Sequence, residues 1–488
     1  MQNNYQPKPG DRIFRPRRIR RYRLRRVLGV PALFSAGYGD VGSSIYYALG
    51  IVALIALGAT PIVLAIAGII YIFNALTYAE GSASIPEAGG SASFARHGFN
   101  DMIGFIAGWA LMLSYIVTMA ISAYTIPPYL SYFWPILKDP VIGTLVSMGI
   151  IAFLMLINVL GIRESARVNI FFIGIDITTQ ITLVVLGIIL ILAVNPGILF
   201  QHMFGEGNWP STQNLIFGIA IAALCFTGVE TVSQLAEETK EPTKKIPQAY
   251  VLMIVAVLVL FAGISIVALS AMTPQLLGDP VNGWARDPVA GIAANLPSAT
   301  LQAIFAPLVA ILAATILLTA SNAGLMGISR LAFNLSSHHQ LPATLSRVHH
   351  RFRTPYIAII LFCLVALLVL TPGFFATNFF ADLGALYVFG SLLCFALAHA
   401  AVLSLRLKKP ELERPFKLGW NIRIKERELP ITAILGLVAT SVIWLIVVIT
   451  QPYSRWVGIV WMVVGLVIYF IYRRKAHLPL THTPKKPE

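Results

Sequence analysis

The chain has 488 residues, 57% of them hydrophobic and only 12% charged, with a mean hydropathy of +0.77. A soluble domain carries roughly 25% charged residues, so a water-soluble enzyme or scaffold is excluded and a many-span membrane protein is indicated. The net charge of +15 sits on an Arg-rich start, DRIFRPRRIRRYRLRR at 11–26, and on loops; it reads as an orientation signal resting on anionic membrane lipid, with no nucleic-acid partner.

Apolar runs long enough to cross about 30 Å of hydrocarbon recur near 30–57, 61–80, 100–130, 141–162, 168–194 and 214–236. Further runs lie near 248–272, 301–333, 356–371, 379–405, 430–450 and 455–472. They are continuous and unalternated, which fits helices and excludes the strands of a barrel. The prediction is an all-α membrane protein with twelve transmembrane helices. With the N-terminus inside, only Lys138, Arg286 and Arg455 of the 36 Lys and Arg fall outside. That asymmetry predicts a multi-pass cell-membrane protein with both termini cytoplasmic. No signal peptide is expected, because no short apolar stretch with a cleavage site precedes the first span.

The first span is interrupted by GYGDVGSSIYY at 37–47 and the sixth by CFTGVETVSQ at 225–234. Paired interruptions in corresponding helices point to a transporter of inverted-repeat design with its site near the midplane. Unwinding at Gly37–Ser44 would free amides around Gly42, Ser43 and Ser44 and carbonyls around Ser35 and Gly37 to act as ligands. Asp40 and Glu230 are then two acids on two broken helices. Both cannot ionise comfortably in a low-dielectric site, so the pair calls for a proton or a cation.

These residues resemble the amino acid, polyamine and organocation superfamily. Its G-x-I-G-S-G-I-F break is similar to Gly39, Val41, Gly42, Ser43, Ser44, Ile45 and Tyr46, with Ser44 replacing the third glycine. SIPEAGGSASFARHGF at 84–99, FTGVETVSQLAEETKEPTKKIPQA at 226–249 and SRLAFNLSSHHQLPATLSRVHHRFRTP at 329–355 resemble further segments of that superfamily in order. The resemblance implies a LeuT-like fold of five plus five inverted helices followed by two more. It divides the chain into a basic tail (1–26), a ten-helix transport core (27–429), helices 11 and 12 (430–472) and a tail (473–488). GDVGSSIYY is also similar to the G-D-I-G-T-S-P-L-Y element of the Kup and KimA-type potassium transporters, which would place potassium at Asp40, Tyr47, Thr227 and Glu230.

The expected substrate site joins Gly39, Asp40, Gly42, Ser43, Ser44 and Tyr47 of the first span with Phe226, Thr227, Gly228 and Glu230 of the sixth. Tyr115, with Ser114, faces it from the third. Phe226 is expected as an apolar gate and Thr227 as a hydroxyl ligand. Asp40, Glu230 and Asp176, the last accompanied by Thr178, Thr179 and Gln180, are the proton or ion coupling candidates. Glu80 and Glu87 suit an inner gate or the interface, while Asp382 and His399 are buried-polar candidates without an assigned role. Cys225, Cys363 and Cys394 sit in apolar runs and read as packing residues. No phosphate-binding loop, zinc spacing or nucleophile triad occurs, so neither an enzyme nor a cofactor is expected. The leading expectation is proton-coupled uptake of an amino acid or related amine, with proton-coupled potassium uptake as the alternative.

Overall fold

In hydrocarbon every backbone amide must be bonded within the protein, which leaves the helix as the form for long apolar runs. The computed structural model describes residues 26–161, 166–376, 378–424 and 427–482. Apart from Arg26, the expected basic tail lies outside the described residues, as does the last part of the expected tail 473–488.

The first helices are α1 (Val30–Val41), α2 (Ile45–Ala56), α3 (Thr60–Ser84), α4 (Ser91–Gly98), α5 (Asp101–Leu130) and α6 (Pro140–Leu160). The middle of the chain forms α7 (Ala166–Gly187), α8 (Ile198–Phe204), α9 (Thr212–Ala222), α10 (Thr231–Gln234) and α11 (Pro242–Ala271). Then come α12 (Pro274–Gly278), α13 (Pro288–Ala294), α14 (Ala299–Ser337), α15 (Tyr356–Leu370) and α16 (Phe379–Lys408). An antiparallel strand pair, β1 (Asn421–Ile424) and β2 (Arg427–Pro430), lies in a stretch expected to be a polar connection. The chain closes with α17 (Ile431–Thr450) and α18 (Pro452–Lys475).

Among the described residues, eleven helical segments are long and apolar enough to cross a membrane. From Asp101 onward they match the predicted spans one for one. The first segment, Val30–Ser84, contains both the first and the second predicted span; the chain turns between them at Leu57, where φ is 46°. Helix starts follow local chemistry. Asn100 accepts the Ile103 N–H at 3.0 Å to cap α5, and Asp139 accepts the Val141 and Ile142 N–H groups at 3.0 Å to cap α6, each satisfying an amide with no partner inside the helix.

α5 packs along α14 and α16, and α3 along α11. The largest fully buried side chains are mostly tyrosines, Tyr38, Tyr46, Tyr47 and Tyr115 among them, which join an apolar ring to a polar tip. Both termini of the described chain lie at one end of the molecule. There Lys240 donates its N–H to the Leu28 carbonyl at 2.9 Å and Arg473 pairs with Asp101 at 2.9 Å. At the same end, Arg406 holds Glu80 through two bonds of 2.6 and 2.7 Å, a forked pair that fixes α16 to α3.

The first interruption departs from the expected unwinding. Gly42–Ser44 runs on as a tight 3₁₀ turn with helical backbone angles, and the Gly42 N–H donates to the Tyr38 carbonyl. Close packing, not unwinding, is what Gly37 provides: a Cβ there would lie 2.5 Å from the Met253 sulfur and 2.6 Å from Val232 Cγ2.

Candidate functional site

The sixth predicted span is where the helix breaks. α9 tightens through Ala223–Phe226, Thr227 turns extended with ψ of 160°, Gly228 takes φ of 96°, and the helix resumes at Thr231. Glycine is required at 228 twice over. Its φ lies where side chains strain the backbone, and a Cβ would lie 2.7 Å from Asp40 Cγ. The break therefore presses directly on the acid of α1. From the other side of the break, the Thr231 hydroxyl donates to Asp40 Oδ2.

Glu230 precedes Thr231 and so lies beside Asp40. Its carboxyl sits by the Gly228 and Glu230 amides and receives the Ser114 hydroxyl at 3.5 Å, while Ser114 meets Ser391 of α16 at 2.8 Å. Asp40 Oδ1 and Glu230 Oε2 are buried with no hydrogen-bond partner among the described residues. Tyr47, Tyr115 and Tyr387 stand within electrostatic reach of both acids. Asp40 is 2% exposed and Glu230 0%, so both carboxyls are enclosed by the protein. Two carboxylates enclosed together repel when both are charged, and their two open oxygens are acceptors waiting for donors.

Asp176 forms a second buried centre on another face of the first segment. It takes the Tyr46 hydroxyl on Oδ1 and the Gln180 amide on Oδ2 at 2.8 Å, with Tyr38 alongside. The Tyr46 carbonyl accepts the Tyr129 hydroxyl at 2.7 Å, and that hydroxyl accepts the Val289 N–H at 3.3 Å. Asp176 is thus tied through Tyr46 to α13, at the end away from the termini. Asp287 stands at the start of α13. Burial pushes its carboxyl up to about 7, against the opposing pull of Lys138 and Arg286.

Several expected ligands have other engagements. Ser44 donates to the Cys225 carbonyl at 2.5 Å and Ser43 to the Asp40 carbonyl at 2.7 Å, so both hydroxyls stitch backbone. Thr227 turns its hydroxyl to the Leu224 carbonyl at 2.8 Å, away from the role a potassium site would give it. Phe226 packs between Tyr71 and Phe261, with ring centroids 5.3 and 5.4 Å away, inside an aromatic cluster. A Cβ at Gly42 would lie 2.6 Å from the Tyr38 ring, whereas one at Gly39 would meet Ile173 at an ordinary 3.4 Å.

The remaining polar candidates lie outside the centre. His399 bridges Thr77 at 2.9 Å and Asn74 at 2.8 Å. Asp382 occupies the first turn of α16, where a negative charge suits the helix dipole. Glu87 meets His97 at 3.0 Å; burial opposes its ionisation, but the His97 hydrogen bond and the nearby His97, His338 and Arg96 charges outweigh it and hold the carboxyl below the usual glutamate range. Cys225, Cys363 and Cys394 are buried and unbridged.

Sequence reasoning passes over Thr231, Ser391 and Tyr387. Thr231 carries a signal, since it follows a midspan acid at a glycine break. Ser391 and Tyr387 carry none, because a serine or tyrosine in an apolar helix ordinarily bonds within its own helix or packs.

A multi-span membrane protein whose core encloses unpaired acids against a broken helix has the build of a small-solute transporter. The chain belongs to the amino acid permease family, whose profile matches residues 28–472. It is 29% identical to the branched-chain amino acid permease BcaP of Bacillus subtilis, covering 93% of this chain and 94% of the relative. It is 27% identical to the methylthioribose transporter of the same organism, over 93% and 95% of the two chains. The large neutral amino acids transporter small subunit 2 of Rattus norvegicus is 26% identical, over 86% of this chain and 75% of that one.

Proposed function

We propose that this protein is an alternating-access transporter that takes up an amino acid together with protons. The observation that carries the reading is the sealed pair Asp40 and Glu230, each with one open acceptor oxygen, at the break of the Thr212–Gln234 segment. The ammonium group of an amino acid has three donors for such oxygens, and a proton on either acid relieves their mutual repulsion. Gly39, Gly42 and Gly228 supply backbone at this centre, and Tyr47, Tyr115 and Tyr387 its walls. Ser43, Ser44, Phe226 and Thr227 hold the break in shape. Asp176 is a second coupling group. A relative named for branched-chain amino acids and another for large neutral amino acids support an apolar amino acid as substrate.

The architecture that goes with this reading has twelve spans, counting Val30–Ser84 as two. A five-plus-five inverted repeat occupies 27–429 and two further helices occupy 430–472. The protein lies in the cell membrane with both termini cytoplasmic, in keeping with the Lys and Arg distribution. In each cycle the seal opens to one side at a time, so substrate and proton exchange with either compartment but never with both.

The test is uptake into proteoliposomes of labelled leucine, isoleucine, valine and phenylalanine, with and without an inward proton gradient. Methylthioribose and rubidium serve as comparators. Gradient-stimulated uptake of an amino acid supports the reading. Uptake of rubidium or methylthioribose alone removes it.

A further inference from the structure

Between Glu230 and the end bearing the termini, the core is polar where packing alone would favour apolar side chains. The Ser82, Ser91 and Tyr250 hydroxyls, both amide atoms of Gln234 and Glu230 Oε2 are buried there without a well-formed hydrogen bond among the described residues. These groups adjoin one another. Ser82 and Ser233 lie beside Tyr250, Ser91 lies beside Tyr78 and Cys394, and the Tyr78 hydroxyl meets the Cys394 sulfur at 3.7 Å. At Gly90, a Cβ would come 2.5 Å from Ser233 Oγ and 3.4 Å from Gln234 Nε2.

Polar groups buried side by side without well-formed hydrogen bonds offer an ordered water the two to four partners it needs. The far end of this column is covered by the loop 85–90. The loop is pinned where the Ala88 N–H donates to Glu237 at 3.1 Å and Asn334 donates to the Ala88 carbonyl. Glu87 and Glu237 stand at its rim, two carboxylates at the surface end of a column that begins at a third.

We propose that Ser82, Ser91, Gln234 and Tyr250 hold a file of water that carries the Glu230 proton to the cytoplasm beneath the closed 85–90 loop, by a path the substrate does not use. The proposal rests on Glu230 as the proton carrier and on cytoplasmic termini. The Glu230 O–H bond breaks, the proton passes to the adjoining water, and a proton leaves at the rim; no other bond changes. The titratable groups facing Glu230 are Asp40, Tyr47, Tyr78, Tyr115, Tyr250, Tyr387 and Cys394. Only Tyr78, Tyr250 and Cys394 adjoin the column. A sealed water path lets the proton leave before the substrate gate opens.

The experiment compares full-length wild type with the Tyr250→Phe, Gln234→Leu double variant in proteoliposomes, using labelled leucine. Gradient-driven uptake is expected to fall roughly tenfold or more, in line with loss of a proton-transfer group, while leucine exchange at equal pH stays near wild type. Tyr250→Phe alone removes a hydroxyl that makes no well-formed hydrogen bond, and its thermal unfolding, expected close to wild type, keeps misfolding apart from loss of the path. Equal loss of both activities, or unchanged gradient-driven uptake, overturns the path. A wild type whose leucine uptake ignores the gradient removes the proton role of Glu230 and the path with it, a result readable from the wild-type arm alone.

Discussion

Thr231 donates its hydroxyl to Asp40 across the break of the Thr212–Gln234 segment, so the acid of α1 is held by the residue that restarts the helix after the break. A displacement of the short helix α10 would therefore carry with it the hydroxyl that Asp40 accepts.

Thr231→Val removes the hydrogen bond that Asp40 accepts, worth about 1.5–3 kcal/mol when the acid is ionised. The expected result is a loss of roughly ten- to a hundredfold in uptake kcat/KM, with thermal unfolding close to wild type and with rescue by Thr231→Ser. Uptake kinetics on the three proteins decide it; a fully active valine variant contradicts the linkage.

Gly228→Ala adds a carbon 2.7 Å from Asp40 Cγ at a φ of 96°. Backbone strain of this kind is of order 1–3 kcal/mol. Transport is expected to vanish and the unfolding temperature to drop, as read by uptake and by thermal unfolding in detergent. An active, equally stable variant would mean that the break relaxes freely.

Asp176→Asn preserves a group able to bond Tyr46 and Gln180 but removes the ability to gain and lose a proton. The steepness of uptake against the proton gradient is expected to fall while leucine exchange persists. Unchanged steepness would leave Asp176 with the sole task of holding Tyr46.

At the end away from the termini, the folded protein raises the Asp287 carboxyl to about 7, from an ordinary aspartate value of 3.8. The folded state therefore binds more protons than the unfolded one between those values. Its stability falls as pH rises through that window and is level above it. Hydrogen exchange of residues 279–295, corrected for intrinsic rates, is expected to show stronger protection at pH 5 than at pH 8. Asp287→Asn is expected to abolish the difference, and a difference that survives the substitution would assign it elsewhere.

The spans were legible because a bilayer demands long apolar runs, and the one-for-one correspondence from Asp101 onward follows from that demand, with ends that differ by a few residues. The break at Thr227–Glu230 was legible for a related reason: glycine beside an acid at membrane depth has few structural explanations. The same signal misled at 37–44, because glycine also serves close packing, and only the third dimension shows Met253 and Val232 against Gly37. Asp40 and Glu230 announced themselves by charge. Ser391 and Tyr387 did not, and Thr231 only by its place after an acid at a glycine break, since their contacts join residues far apart in sequence, as does that of Ser44 with the Cys225 carbonyl. The β1–β2 pair was hidden in a stretch too short and too polar to show a periodicity.

The most direct measurement is gradient-driven accumulation of labelled leucine by Glu230→Gln beside wild type, with leucine exchange at equal pH as the control. The account predicts that wild type concentrates leucine against its gradient when the vesicle interior is alkaline, and that Glu230→Gln exchanges leucine without concentrating it. Accumulation by Glu230→Gln equal to that of wild type would contradict the account.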